Sequence, residues 1–492
     1  MPFVTGPLPQ RLKLVHGFGA VAFGVKDSGF SFFLLPFYNL VLGVDASTVG
    51  AALAAALVID ALVDPLIGHL SDRTYTKWGR RLPWLYLAPW PLALVWTMLW
   101  SPPFTGTPGF WDIVALAVGV RLLLSACEVP SVSLVPEITD DYDDRTTLFR
   151  YRFLSGWLGG LLMMVLTFTV FLPTPQSQLQ PEGYASYGLF GAALIALSVI
   201  GSAAAQHRIV AQLPERRPPP FSITGAFAEI FDAFREKAFV IFALGGLAAY
   251  VLQGMTFSIT QYVNLYVWQF SELAFQLYPA VLFLSVVLMF VIVGPLHRRW
   301  GKPKSAALGA LVGLAFYCSP YVFYLAGAWP TVGTTASTAL LYGFLVCANT
   351  ASVVAIISAT SMVAEIVEAF EERTGQRAEG TFYAGNWLVQ KCATGGGILL
   401  TSLIVQSIDL APGTPQAEVA PETVRQLVWL FMLAATVLAS IAAFWLARFP
   451  ISREQHEARV AARRGRPAPP APATPDPLDQ AVRADPDAHT IT

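Results

Sequence analysis

The chain has 492 residues, 55% of them hydrophobic and only 13% charged, with a net charge of −1. A soluble domain would be nearer a quarter charged, so that class is excluded, and the near-zero charge offers no electrostatic footprint for a nucleic-acid partner. The cysteines Cys127, Cys318, Cys347 and Cys392 all lie in apolar runs, which argues against a disulfide framework or a metal site.

Many windows of about 20 residues lack charge, the pattern of spanning helices, and the alternating ten-residue segments of a membrane barrel are not seen. The N-terminal MPFVTGPLPQRLKLV has no short apolar core ahead of a small-residue cleavage site, so no removable signal peptide is expected and the first span directs insertion. Twelve spans are predicted, at 14–41, 48–70, 83–102, 110–135, 148–172, 186–206, 238–262, 272–295, 304–326, 334–364, 380–406 and 422–448. The expected fold is an all-α membrane protein of twelve transmembrane helices, the longer ones tilting or projecting beyond the bilayer.

Span 1 carries Lys26 and Asp27 about 18 Å along its helix. In span 2, Asp60 and Asp64 are four residues apart and share one helical face. Both lie near mid-depth, where an unpaired charge is expensive, so a cation, a proton or a basic residue must offset them. Asp72-Arg73-Thr74 and Lys77-Trp78-Gly79-Arg80-Arg81 then read as a tight, cation-rich loop. Span 4 holds Arg121 and Glu128, seven residues apart on one face. Arg152 stands near the start of span 5, where snorkelling or structural pairing competes with a functional role. Span 11 holds Lys391, the one cation at mid-membrane depth in the C-terminal half.

With both termini in the cytoplasm, every Lys and Arg except Lys26, Arg121, Lys391 and Arg425 falls in or beside an inner segment. The positive-inside rule therefore orients the chain that way, multi-pass in the cell inner (plasma) membrane. Residues 207–237, with LPERRPPPF followed by the amphipathic GAFAEIFDAFREK, read as a cytoplasmic linker. The Pro-, Ala- and charge-rich tail at 450–492 is expected to be disordered.

Two internal repeats set the architecture. Trp78-Gly79-Arg80 after span 2 recurs as Trp300-Gly301-Lys302 after span 8, and EITDDYDDRT (137–146) after span 4 recurs as EIVEAFEERT (365–374) after span 10. Equivalent segments six spans apart on one side of the membrane predict two pseudo-symmetric six-helix halves, at 1–206 and 238–449, the plan of the major facilitator fold with its substrate cavity between the halves. The loop charges Asp72, Arg73, Arg80, Arg81, Glu137, Arg145, Glu365 and Arg373 are candidates for gating ion pairs that bias a two-state rocking equilibrium, although exposed pairs are individually weak.

The motifs Lys26-Asp27, Asp60-Ala-Leu-Val-Asp64-Pro65 with GHLSDRTYTKWGRRLPW, Glu128-Val-Pro130 with Leu134-Val-Pro136-Glu137, Arg152, and MVAEIVEAFEERTGQRAEGTFYAGNWLVQK up to Lys391 carry a resemblance. Over about residues 14–448 the chain resembles the glycoside–pentoside–hexuronide:cation symporters, of which the melibiose carriers are the best-known members. The resemblance implies that Asp60 and Asp64 are the coupling-cation carboxylates, with Ser125 at a threonine's place and Lys391 facing them. It implies that Asp27, Glu128 and Arg152 bind sugar. Two carboxylates and a hydroxyl make a small oxygen-rich cage suited to Na⁺ or H⁺. Two departures matter: Val63 replaces an asparagine, which removes an oxygen and favours H⁺, and Val132 replaces a tryptophan on which a sugar ring stacks, unless Trp157, Trp268 or Trp387 supplies that surface.

The leading expectation is a monomeric symporter for a glycoside, sugar or similar polyol, coupled to H⁺ or Na⁺ and needing no cofactor. The alternative is an amphipathic or anionic solute, such as a lysophospholipid, with Lys26 and Arg121 as the anion partners. A receptor or scaffold has no need of a buried acid pair. No nucleotide loop, nucleophile elbow or metal-ligand cluster points to an enzyme.

Overall fold

The computed structural model describes residues 3, 4, 6, 8–211, 231–375, 378–408 and 410–450. Ten helices among them are long and apolar enough to cross a membrane. One of the ten, Glu272–Leu325, has 54 residues, about 81 Å at 1.5 Å per residue against a hydrocarbon core of roughly 30 Å. It turns back at Gly301, whose φ of 74° and ψ of 169° lie outside helical space, so it makes two crossings. A further crossing at 82–100 consists of Leu82–Leu87 and Pro89–Trp100, interrupted at Ala88, ahead of a proline that cannot donate to the helical ladder. Among the described residues this is consistent with twelve crossings.

We label them α1 (Gln10–Val41), α2 (Ala46–Arg73), α3 (82–100), α4 (Phe110–Ser133), α5 (Tyr142–Leu166), α6 (Pro181–Val210), α7 (Lys237–Tyr262), α8 and α9 (the arms of Glu272–Leu325 before and after Gly301), α10 (Thr335–Thr374), α11 (Glu379–Ser407) and α12 (Pro421–Ala447). One end of the bundle carries the loop 74–81 and is cation-rich; the other, with the α1–α2 and α11–α12 connections, is cation-poor.

The two halves repeat each other in detail. α1 ends in a π-helical turn at Phe37–Val41, and α7 runs into one at Val263–Val267. In the first half α1 packs on α5 so closely that a Cβ at Gly24 would stand 1.7 Å from the Gly156 carbonyl oxygen. In the second, α7 packs on α11, and a Cβ at Gly254 would stand 2.4 Å from the Thr394 carbonyl oxygen. Small residues that let backbones touch are how helices associate where lipid removes the hydrophobic drive. Gly24→Val is therefore expected to abolish the monodisperse peak of the purified protein in size-exclusion chromatography. Gly68→Ala, whose new methyl would meet only Val129 at 3.6 Å, should leave that peak unchanged. Normal elution of Gly24→Val would refute the packing argument.

Contacts between the halves gather toward the cation-poor end. Phe32 of α1 meets Phe257 of α7 (ring centroids 5.0 Å), and Phe168 stacks on Phe275 (5.2 Å). Tyr262 donates to Asn39 Oδ1 at 2.9 Å, and Gln261 bonds Gln178. At Gly50 of α2 a Cβ would collide with Ser402 of α11.

Some boundaries differ from expectation. EIVEAFEERT does not follow the tenth helix but forms its last turns, so α10 ends at Thr374 rather than at 364, with Gly375 left-handed at φ 71°. Its first-half copy breaks: Thr139 is extended and Asp141 caps α5 by accepting from the Asp144 N–H at 2.8 Å. The reason is composition. Thr-Asp-Asp at 139–141 favours a cap, whereas Val-Glu-Ala at 367–369 lets the helix continue. Helix α6 runs to Val210, into the expected linker. Residues 212–230, with the first six of the linker's amphipathic segment, and the tail at 451–492 lie outside the described residues.

Candidate cation and substrate site

Asp60 and Asp64 sit mid-way along α2, and Pro65 follows directly. Proline has no N–H to return to Ala61, which loosens the helix beside the acids. Helix α4 presents Arg121, Ser125 and Glu128 at spacings of four and three residues, one face aimed at α2 and α5. Lys391 reaches in from α11 in the other half.

These side chains meet. Arg121 Nη1 donates to Asp60 Oδ2 at 2.9 Å. Lys391 Nζ stands 2.9 Å from the same oxygen and also bonds Asp64 Oδ2. The Ser125 hydroxyl lies 3.2 Å from Asp60 Oδ1 and 2.7 Å from Asp64 Oδ1, so its single proton serves one of them at a time. Asp60 is 3% exposed and Arg121 7%, and burial at that level requires pairing. The Arg121 guanidinium also lies 4.7 Å over the Phe30 ring.

A second group sits beside it. Arg152 of α5 donates to Glu128 Oε1 at 2.6 Å and to Ser131 Oγ at 2.5 Å. Glu128 and Ser131 line a small recess with Gly19, Ala22, Cys127 and Ser202. On α1, Lys26 is buried with its ammonium 3.6 Å from Asp27 and 4.4 Å from the Phe23 ring, while the Asp27 side chain is 56% exposed. Four cations and four carboxylates thus balance at mid-depth. Of the candidate stacking surfaces, Trp268 is buried against Tyr321 and Trp329. Trp157 stacks on Phe283 across the halves at 5.5 Å. Trp387 is 54% exposed, one turn from Lys391 on α11.

The loop charges pair within each half. Arg80 and Arg81 both donate to Glu137 Oε1, at 2.9 and 3.0 Å, and Arg81 also binds Asp72 and Ser71. The second half repeats the device with Lys302 on Glu365 at 2.9 Å, and Gly79 (φ 84°) matches Gly301 (φ 74°) in the turn that places each cation. Arg145 bonds the Thr139 carbonyl at 2.8 Å and Asp140 at 3.1 Å. Arg373 pairs with Glu236, and Arg73 bonds the His69 carbonyl at 3.4 Å. In this conformation the pairs named here brace each half rather than tie the two together.

Arg121, a candidate anion partner by sequence, has its guanidinium on Asp60, in the same group as Lys391. The partners Lys302, Glu236 and Lys13 (3.0 Å from Asp144) were not singled out as site residues. The Trp-Gly-Arg and Trp-Gly-Lys repeat already carried the signal for Lys302.

Residues 15–453 match the family described as MFS/sugar transport protein. An uncharacterized symporter of Synechocystis sp. is 27% identical over 90% of this chain and 94% of its own. The isoprimeverose transporter of Lactiplantibacillus pentosus is 30% identical over 32% of this chain and 33% of its own. A putative sulfoquinovose importer of Salmonella typhimurium is 25% identical over 88% of this chain and 90% of its own. Among solved structures, a bacterial homolog to human lysosomal transporter Spinster, in an inward-facing and unoccupied conformation, matches with a TM-score of 0.64 at 15% identity. That match covers 90% of this chain and 98% of the other, a likeness of fold alone.

Proposed function

Since the chain belongs to the MFS/sugar transport protein family, we propose that it is a cation-coupled symporter for a glycoside, sugar or similar polyol, working by alternating access. One observation carries the reading: Lys391 of one half is ion-paired with Asp60 and Asp64 of the other. In the empty carrier the ammonium neutralises the acids. A coupling cation arriving at the carboxylates displaces it, which loosens a contact between the halves and biases the rocking equilibrium. Substrate hydroxyls would then bond to Asp27, Glu128 and Arg152, the guanidinium offering two donors in a fixed fork. The exposed ring of Trp387 suits the apolar face of a sugar. The relatives named for isoprimeverose transport and glycoside/cation symport support this substrate class.

The cation-rich end is read as cytoplasmic, with both termini there, and the protein as a monomer in the inner (plasma) membrane needing no cofactor besides the coupling ion. A second reading, an anionic solute, is favoured by the buried Lys26, held 3.6 Å from its sequence neighbour, and by the relatives named as sulfoquinovose importers. Lysolipids belong to the same reading.

Uptake by the reconstituted protein, across a panel of neutral sugars, sulfonated sugars and lysolipids, tests the assignment. With Val63 beside Asp64 supplying no oxygen, an inward proton gradient in Na⁺-free buffer is expected to drive accumulation at least as well as a Na⁺ gradient. Strict dependence on Na⁺ at fixed pH would overturn that expectation.

A further inference from the structure

We infer that Arg121 is a tethered cation occupying the place a coupling metal ion would take at Asp60, and that it makes this carrier blind to Na⁺. The inference rests on the symporter reading above and gives Arg121, beside Val63, a part in its ion selectivity.

Lys391 is on α11, across the interface from the acids on α2, so a rocking motion can carry it away. Arg121 is on α4, in the same half as Asp60, and its 2.9 Å bond closes within that half. It therefore stays when the halves part. The guanidinium keeps its charge at any pH the protein meets. Phe30 beneath the guanidinium, and its burial at 7% exposure, hold it there.

Three of the four carboxylate oxygens are engaged at any moment, the two Oδ1 atoms sharing one hydroxyl proton. Asp60 Oδ2 takes Arg121 and Lys391, both Oδ1 atoms meet Ser125, and Asp64 Oδ2 takes Lys391. Two negative charges face two positive ones, and Lys26 on α1 is taken up by Asp27. When Lys391 leaves, Asp60 remains neutralised by Arg121. What is free is the Asp64 carboxylate, the shared hydroxyl and Asp60 Oδ1, whose carboxylate charge Arg121 still answers, next to the aliphatic Val63. A hard metal ion is held by several oxygens and their negative charge at once, and with the Asp60 charge already answered by Arg121 this remainder is too poor in both to compete.

The test is Na⁺ binding to the purified full-length protein, read as the shift in its unfolding temperature when NaCl replaces KCl or choline chloride at constant ionic strength. The native protein should show no Na⁺-specific shift. Arg121→Gln and Arg121→Asn each remove the charge and offer an amide oxygen in its place; either should acquire a saturable Na⁺-specific stabilisation of about 2 °C or more. Arg121→Lys, which keeps a cation, should stay insensitive. A saturable Na⁺-specific shift in the native protein overturns the inference whatever the variants do. So do folded Arg121→Gln and Arg121→Asn proteins no more responsive than native. If both neutral variants fail to fold, the native protein and Arg121→Lys decide: insensitivity of both supports the assignment, and a response by either overturns it. The readout needs no transported solute. A protein that ignores Na⁺ but accumulates no sugar under any gradient would sink the symporter reading and leave the role of Arg121 standing.

Discussion

Asparagine at Asp60 or at Asp64 should bring gradient-driven accumulation to a halt, the internal and external substrate concentrations settling at a ratio of about one, as for any carrier that has lost its linkage. The two variants should differ in a way the geometry specifies. Asp64 has a quarter of its side chain exposed and pairs with Lys391 across the interface. Its replacement leaves Asp60 and Arg121 intact, so the protein should remain well folded and still exchange bound substrate. Asp60 is buried and answers Arg121 within its own half. Its replacement strands a guanidinium, a loss of roughly 3–5 kcal/mol when one partner of a buried pair is removed. Lower purified yield is therefore expected for Asp60→Asn than for Asp64→Asn. Counterflow and net uptake measured on the same vesicles check both parts, and uphill uptake by both variants would remove these acids from the coupling machinery.

Lys391→Ala should weaken coupling while leaving insertion largely intact, because the residue contributes a contact between the halves rather than a buried strut within one. Its interaction with the acids predicts the sign of a double-mutant cycle. Alanine at 391 leaves Asp64 without its ion partner but leaves Asp60 still paired with Arg121. Combining Lys391→Ala with Asp64→Asn should then perform better than the product of the single effects, with a coupling energy of about 1–3 kcal/mol. The cycle with Asp60→Asn should show a smaller coupling, since Arg121 shares that carboxylate. Cation-stimulated uptake at initial rate is the measurement. Strictly additive effects in both cycles would mean that Lys391 does not act through the carboxylates.

The sequence alone determined what depends on local period and repetition. Twelve apolar spans follow from hydropathy, and the repeats of Trp-Gly-Arg and of EITDDYDDRT announce two like halves. The spacing of Asp60 and Asp64 puts both on one helical face whatever surrounds them. Lys391 was marked because an isolated ammonium at mid-depth needs an acid. Tertiary structure decided which charge answers which. The expected partner of the acids was Lys391, with Arg121 and Lys26 set aside for an anionic solute, and depth alone does not separate the three. The rotation of α4 against α2, and the contact of α2 with α11 at Gly50 and Gly395, put Arg121 and Lys391 on Asp60 Oδ2 and leave Lys26 with Asp27. In the same way the loop charges were legible as ion pairs, but their closure within halves depends on where Gly79 and Gly301 turn the chain. Helical periodicity is a property of one element and survives any packing. The partner of a buried charge is a property of several elements at once, set by backbone approaches of a few ångströms that no single segment encodes.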